Sequence, residues 1–260
     1  MASKIAAQLY TVRDFTKTPD DIKQTMAKVA AIGYESVQLS ALGPMDPAEL
    51  RAVCDGNGLS ICSTHISFDR MQDDLPGVIA DHEIYGCKYP GIGGMGGRYP
   101  ASEENYRQFA RDASEVGLKL QEAGMTFVYH NHSQEFQHFG ASGAEQRRGM
   151  DILFDDSDPV GFQFELDTYW VQHGGASPVA WINKCAGRLP VIHFKDMRIK
   201  GDRTQYYCEV GQGNLDWPGI LAACEAANVE WYIVEQDTCE GDPFDSLKIS
   251  FDNLKAMGVD

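Results

Sequence analysis

Four side chains able to hold a cation each stand just beyond a short apolar run. Glu135 follows Met125 to Tyr129, Asp167 follows Val160 to Leu166, His193 follows Leu189 to Ile192, and Glu235 follows Trp231 to Val234. Three carboxylates and an imidazole brought together would repel one another unless a cation lay between them. One such position says little, because loops after strands are generally polar. Four in successive units point to a metal centre at the strand ends of a parallel barrel, where such folds collect their chemistry.

The densest polar stretch is His130-Asn131-His132-Ser133-Gln134-Glu135-Phe136. Two histidines and a glutamate in so short a run are costly to place in an apolar wall, so they should line an open end. Strand parity puts Val128 and His130 on one side. Beyond them the chain must turn, and parity leaves open which of His130, His132 and Glu135 points inward. By the same alternation Glu165 pairs with Asp167, His193 with Lys195, and Glu235 with Asp237. His65 ends the run Leu59 to Thr64 and is expected to touch substrate. Tyr10 and Trp170 could offer flat apolar faces to a ring. Glu209, next to the glycines of Val210-Gly211-Gln212-Gly213-Asn214, could point at substrate from a loop able to cover the site. His82 reads as a helix residue, and His138 and His173 as surface residues.

Apolar runs of strand length alternate with amphipathic stretches along the whole chain. Ile5 to Tyr10 reads as a strand, and Pro19 to Ile32 as a helix that stops at Gly33. Tyr34 to Leu39, Leu59 to Thr64 and Cys87 to Ile92 read as strands. Helices are expected over Pro47 to Cys54, Gly77 to Tyr85, Ser102 to Ala123 and Pro243 to Met257. Eight such units imply a parallel sheet closed into a (β/α)8 TIM barrel, an α/β fold, here a single domain over residues 1–260. An open doubly wound sheet would need an early G-x-G-x-x-G, whereas the glycine-rich run Gly91 to Gly97 comes at the fourth strand. Met197 to Asp216 reads as the longest irregular stretch, a loop over the barrel mouth.

The 260 residues carry 22 Lys plus Arg against 38 Asp plus Glu, a formal charge of −16 that repels phosphate backbones and argues against nucleic acid. The seven cysteines are odd in number and form no C-x-x-C pair, so they suggest neither a disulfide frame nor a zinc ribbon. Cys62 and Cys224 read as small core residues. Met1-Ala2-Ser3-Lys4 leads straight toward a strand, and no apolar run approaches membrane-spanning length; a cytoplasmic location and no membrane partner are expected.

The segments His-Asn-His-x-x-Glu-Phe, Asp-Thr-Tyr-Trp, Gly187-Arg188-x-x-x-x-His193-x-Lys195-Asp196, Val210-Gly211-x-Gly213-x-x-Asp216-Trp217 and Glu235-Gln236-Asp237 resemble the sugar phosphate isomerase/epimerase family of xylose-isomerase-like barrels. The resemblance runs from Gln8-Leu9-Tyr10-Thr11-Val12-Arg13 to the last helix. It implies one divalent metal held by Glu135, Asp167, His193 and Glu235. Two features depart from the pattern. Gln38, in Val37-Gln38-Leu39, replaces the glutamate many members carry there, and a carboxamide can hold a sugar hydroxyl but take no proton. The His-Asn-His form is similar to the branch acting on 3-keto-sugars and their glycosides. The endonuclease IV type of relative typically has a histidine where this chain has Trp170.

The expected activity is therefore a metal-dependent sugar isomerase or epimerase. It would act on a sugar or keto-sugar through an enediolate stabilised by Mn²⁺, with Mg²⁺, Co²⁺ or Zn²⁺ as alternatives. Elimination or hydrolysis of 3-keto-glycosides is the alternative, and a non-catalytic sugar-binding barrel is the reading from another class; under any of them the chain is open to homo-oligomer formation. His132, Lys195 and Glu235 are the expected catalytic groups, with His132 moving the proton and Lys195 stabilising charge. Gln8, Tyr10, Gln38, His65, His130, Trp170 and Glu209 are the expected substrate contacts.

Overall fold

Most of the helices begin where a side chain satisfies free amide groups of the first turn. Thr18 accepts from the Asp21 amide at the start of Pro19–Ile32, and Asp21 accepts in return from the Thr18 amide. Asp46, Ser102, Ser177 and Asp242 cap later helices in the same way. Between these helices lie strands of three to six residues: β1 Ile5–Gln8, β2 Ser36–Leu39, β3 Ser60–His65, β4 Tyr89–Ile92, β5 Val128–His130, β6 Gln163–Asp167, β7 Val191–Phe194 and β8 Trp231–Val234. In a computed structural model that describes residues 3–140 and 146–260, these strands pair in parallel and in chain order, and β8 closes on β1. The protein is a (β/α)8 barrel. Residues 1 and 2, read as leading into the first strand, lie outside the described residues.

Alternation along the strands sorts the side chains. Ala6, Cys62, Tyr89, Val128, Val191 and Ile233 form a small apolar cluster of their own, separate from the large core of Ile5, Ala7, Val37, Ile92, Tyr129, Phe164 and Ile192 with the helices. Two residues further along the strands of that small cluster stand Gln8, His130, His193 and Glu235, so the barrel changes from apolar to polar toward its C-terminal end. Gly91 in β4 has to lack a side chain: a Cβ there would stand 2.7 Å from Thr64 O and 2.8 Å from a Val128 methyl.

The stretch from Met197 to Asp216 departs from the expected loop. Its first half is an antiparallel hairpin, Asp196–Ile199 with Gln205–Cys208, turning at Lys200 to Thr204. Its second half is tied down. The buried Asp196 carboxylate accepts from the amides of Met197, Gly211, Gly213 and Leu215 and from the Trp217 indole. Val210 is bonded to Ser250 and Asn253 of the last helix. Among the described residues no helix is long and apolar enough to cross a membrane.

Candidate metal centre and catalytic cavity

His130, Asp167, His193 and Glu235 come together at the ends of β5, β6, β7 and β8. Each offers a donor atom, and these atoms all lie within 4.8 Å of one another. His130 Nε2 is 3.2 Å from Asp167 Oδ2, and His193 Nδ1 is 2.8 Å from Glu235 Oε2. All four side chains are buried. His130 Nδ1 has no hydrogen-bond partner, an uncommon state for a buried ring nitrogen. Two imidazoles, two carboxylates and a buried nitrogen without a partner suit a divalent transition metal, and the group could hold one.

Glu135, expected as the fifth-strand ligand, is not in this group. β5 ends at His130, and Glu135 lies in the turn Gln134–Phe136, which folds back. Its carboxylate accepts from the Tyr129 hydroxyl at 2.7 Å and from the His132 amide at 2.9 Å. It holds the turn that presents His132, and His130 stands in its place in the group that could hold a metal.

Charge balance around the group comes from Lys195, which is 1% exposed. Its ammonium is 2.9 Å from Asp167, 2.8 Å from Glu235 and 3.1 Å from Asp237. Burial alone would discharge this lysine, but those carboxylates hold its pKa well above the ordinary value. Burial likewise opposes a charge on His193, yet Glu165 and Glu235 push its pKa up to about 10.

Gln8 and Gln38, expected as substrate contacts, lie fully buried beside this group. Gln38 Oε1 accepts from Gln8 and lies 2.6 Å from His193 Nε2, while its amide nitrogen donates to Glu165 and Ser63. Glu165 also bonds His65, and despite burial its neighbours His193 and His65 hold its carboxyl well below the usual range. Gln38 is thus a framework group with both ends of its amide in use. Glu209 is likewise away from the site: it accepts from Ser246 on the last helix.

Above the polar layer opens a cavity of about 540 Å³. His65, His130, His132, Trp170, Tyr10 and Glu235, all named from the sequence, line it, as do Arg13, Asp237 and Tyr207. Trp170 packs 5.2 Å from the His132 ring, and the Lys195 ammonium lies 5.6 Å from the Trp170 ring centre. Tyr207 comes from the hairpin and stacks on Tyr169 at 4.3 Å. The sequence placed this stretch over the mouth as a loop but did not single out Tyr207, because nothing local signals the hairpin that carries it; Asp237 was signalled by its phase with Glu235. His82 is buried in its helix, bonded to Thr64 and to the Val78 carbonyl, while His138 and His173 are exposed.

A closed parallel barrel with a buried His₂AspGlu group at its C-terminal end defines a class of (β/α)8 proteins. Residues 26–257 match the model of one family within it, and the chain belongs to the xylose isomerase-like TIM barrel family. It is 26% identical to the inosose dehydratase of Geobacillus kaustophilus (strain HTA426) across 87% of this chain and 84% of that protein. It is 24% identical to that of Clostridium beijerinckii (strain ATCC 51743 / NCIMB 8052) across 86% and 85%. Among solved structures, a sugar phosphate isomerase/epimerase from Parabacteroides distasonis ATCC 8503 superposes with a TM-score of 0.82 at 20% identity, covering 98% of this chain and 94% of that one. The probable 3-DHS dehydratase of Bacillus anthracis superposes with a TM-score of 0.71 at 13% identity, covering 97% and 98%.

Proposed function

We propose that the protein is a metal-dependent lyase that removes water from a ketone of a sugar or cyclic polyol, with His130, Asp167, His193 and Glu235 holding the metal. Gln38 carries this reading. Epimerisation at one carbon is served by bases on opposite faces of the substrate, and the β2 strand end supplies an amide whose two ends are both engaged within the barrel. Elimination needs one group to take the proton beside the carbonyl and a proton for the departing hydroxyl. The C–H and C–O bonds break, a C=C bond forms and water leaves. The inosose dehydratases among the relatives support the same chemistry, an inosose being a ketone of a cyclic polyol.

A divalent ion, when bound, supplies Lewis-acid polarisation of the substrate carbonyl and so acidifies the neighbouring C–H. His132 lines the cavity without belonging to the ligand group, and it moves the proton. Lys195 places a fixed positive charge behind Glu235 and Asp237 of the cavity wall, near where negative charge develops on substrate oxygen. Tyr10 and Trp170 give apolar faces to ring C–H groups. Mn²⁺ remains our first choice, and two imidazoles make Co²⁺ or Zn²⁺ better substitutes than Mg²⁺.

Isomerisation or epimerisation is the second reading, favoured by the presence of both His132 and Asp237 in the cavity wall. The buried four-donor group argues against a non-catalytic sugar-binding subunit. Incubating Mn²⁺-reconstituted protein with an inosose in deuterated water tests the proposal. The product should be lighter by one water. A stereoisomer of the starting ketone carrying solvent deuterium would establish the second reading instead.

A further inference from the structure

A chain of buried amides runs from the end of β1 to His193. The Tyr10 amide donates to Gln8 Oε1 at 3.2 Å, and Gln8 Nε2 donates to Gln38 Oε1 at 2.7 Å. Gln38 Nε2 donates onward to Glu165 Oε1 at 2.7 Å and to Ser63 Oγ at 3.1 Å. Glu165 is bonded in turn to His65. Gln8, Gln38, Glu165 and His193 are all fully buried.

Each end of this chain is a group with one hydrogen-bonding role. A backbone N–H only donates, which turns Gln8 so that its nitrogen faces Gln38. A carboxylate only accepts, which turns Gln38 so that its nitrogen faces Glu165. From both sides the Gln38 oxygen is therefore the end that meets His193, 2.6 Å from Nε2. An amide oxygen has no hydrogen to give, so the ring supplies it from Nε2. Nδ1 keeps its lone pair, and Nδ1 is the nitrogen that faces the metal group, 2.8 Å from Glu235 Oε2 and 3.9 Å from Asp167 Oδ2. A glutamate at position 38 would set carboxylate against carboxylate across the 2.7 Å contact with Glu165, so the network requires a carboxamide there.

We propose that Gln38 is a positioning residue that locks His193 in the tautomer with hydrogen on Nε2 and the lone pair of Nδ1 turned to the metal, Gln8 and Glu165 holding the amide in that sense. This rests on the metal-dependent reading above and adds to it the side chain that prepares one ligand. It also assigns a role to the group of His65, Glu165 and His193, whose donor atoms lie within 4.8 Å of one another. With hydrogen on Nε2, His193 has no lone pair on that side, so these residues support one ion and do not take a second.

Imidazole ¹⁵N NMR of the full chain, loaded with diamagnetic Zn²⁺ in place of Mn²⁺, reads the tautomer directly, and His193→Gln identifies the signal. The hydrogen should sit on Nε2 and the metal-induced shift on Nδ1. Gln38→Leu, checked for native circular dichroism, should weaken Zn²⁺ binding by roughly 10–100-fold in competition with a chelator, the usual loss for an outer partner of a metal-bound histidine. Glu165→Gln, which can present either end of its amide to Gln38, should weaken it in the same direction. Hydrogen on Nδ1 in the loaded native chain, or unchanged Zn²⁺ affinity in both variants, overturns the role of Gln38 while the metal reading stands. A His193 ring that does not respond to Zn²⁺ overturns the two together.

Discussion

His130 Nε2 stands 3.2 Å from Asp167 Oδ2, and its second ring nitrogen is buried without a partner. The last residue of β5 thereby joins the ends of β6, β7 and β8 in one group of donors, and Glu135 is left to hold the following turn. This division of labour separates metal binding from the support of His132, and the two can be removed one at a time.

His130→Ala should lower Mn²⁺ affinity by more than the roughly 10–100-fold that follows loss of an outer partner of a ligand. Glu135→Gln should leave Mn²⁺ affinity within a few-fold of native. Competition with a fluorescent chelator measures both. The reverse order of effects would restore Glu135 as the ligand.

Glu135 also makes a prediction about pH. Burial pushes its carboxyl up to about 7, against the Tyr129 hydroxyl and the His132 amide that stabilise the charged form. A carboxyl raised in the folded state binds its proton more tightly there than in the unfolded chain. Its contribution to stability is complete below about pH 4.5 and is lost as pH rises through about 7, an effect of about 3 kcal/mol. In Glu135→Gln the fall in unfolding free energy across this window should flatten, as read by urea denaturation at several pH values. An unchanged slope would show that another group is responsible.

Much of this was legible in the chain because barrel strands and helices carry local signals. Pro19 at one end, apolar residues at helical spacing and Gly33 at the other end mark a helix that runs over Pro19–Ile32, as expected. Strand parity placed Glu165 with Asp167, His193 with Lys195 and Glu235 with Asp237, and each pair points inward in the barrel. Parity stopped at the end of the short strand β5, so the choice between His130 and Glu135 depended on a turn the sequence does not specify. The stretch Met197 to Asp216 was legible as a segment over the mouth, but Tyr207 was not, because its place in the cavity depends on the hairpin pairing within it.

His132→Gln should cost about 10²–10⁴ in turnover, the usual worth of a positioned acid or base, with metal content unchanged. Steady-state kinetics beside metal analysis of the same sample decides this. Undiminished turnover would pass the role to another titratable group of the cavity wall, Asp237 first.

Asp196→Ala strands four backbone amides and the Trp217 indole that now donate to one buried carboxylate. Several unsatisfied donors make a loss of about 3 kcal/mol or more the expected result, read by urea denaturation. Protease sensitivity should rise between Val210 and Trp217. A stable, protease-resistant variant would mean that the segment is held by its contacts with the last helix alone.

The most direct test of the metal centre is a crystal of the protein grown with Mn²⁺ and measured for anomalous scattering from manganese. A single peak about 2.0–2.4 Å from donor atoms of His130, Asp167, His193 and Glu235 is the predicted result. A peak ligated by Glu135 with His130 turned away, or no peak at these strand ends, would contradict it.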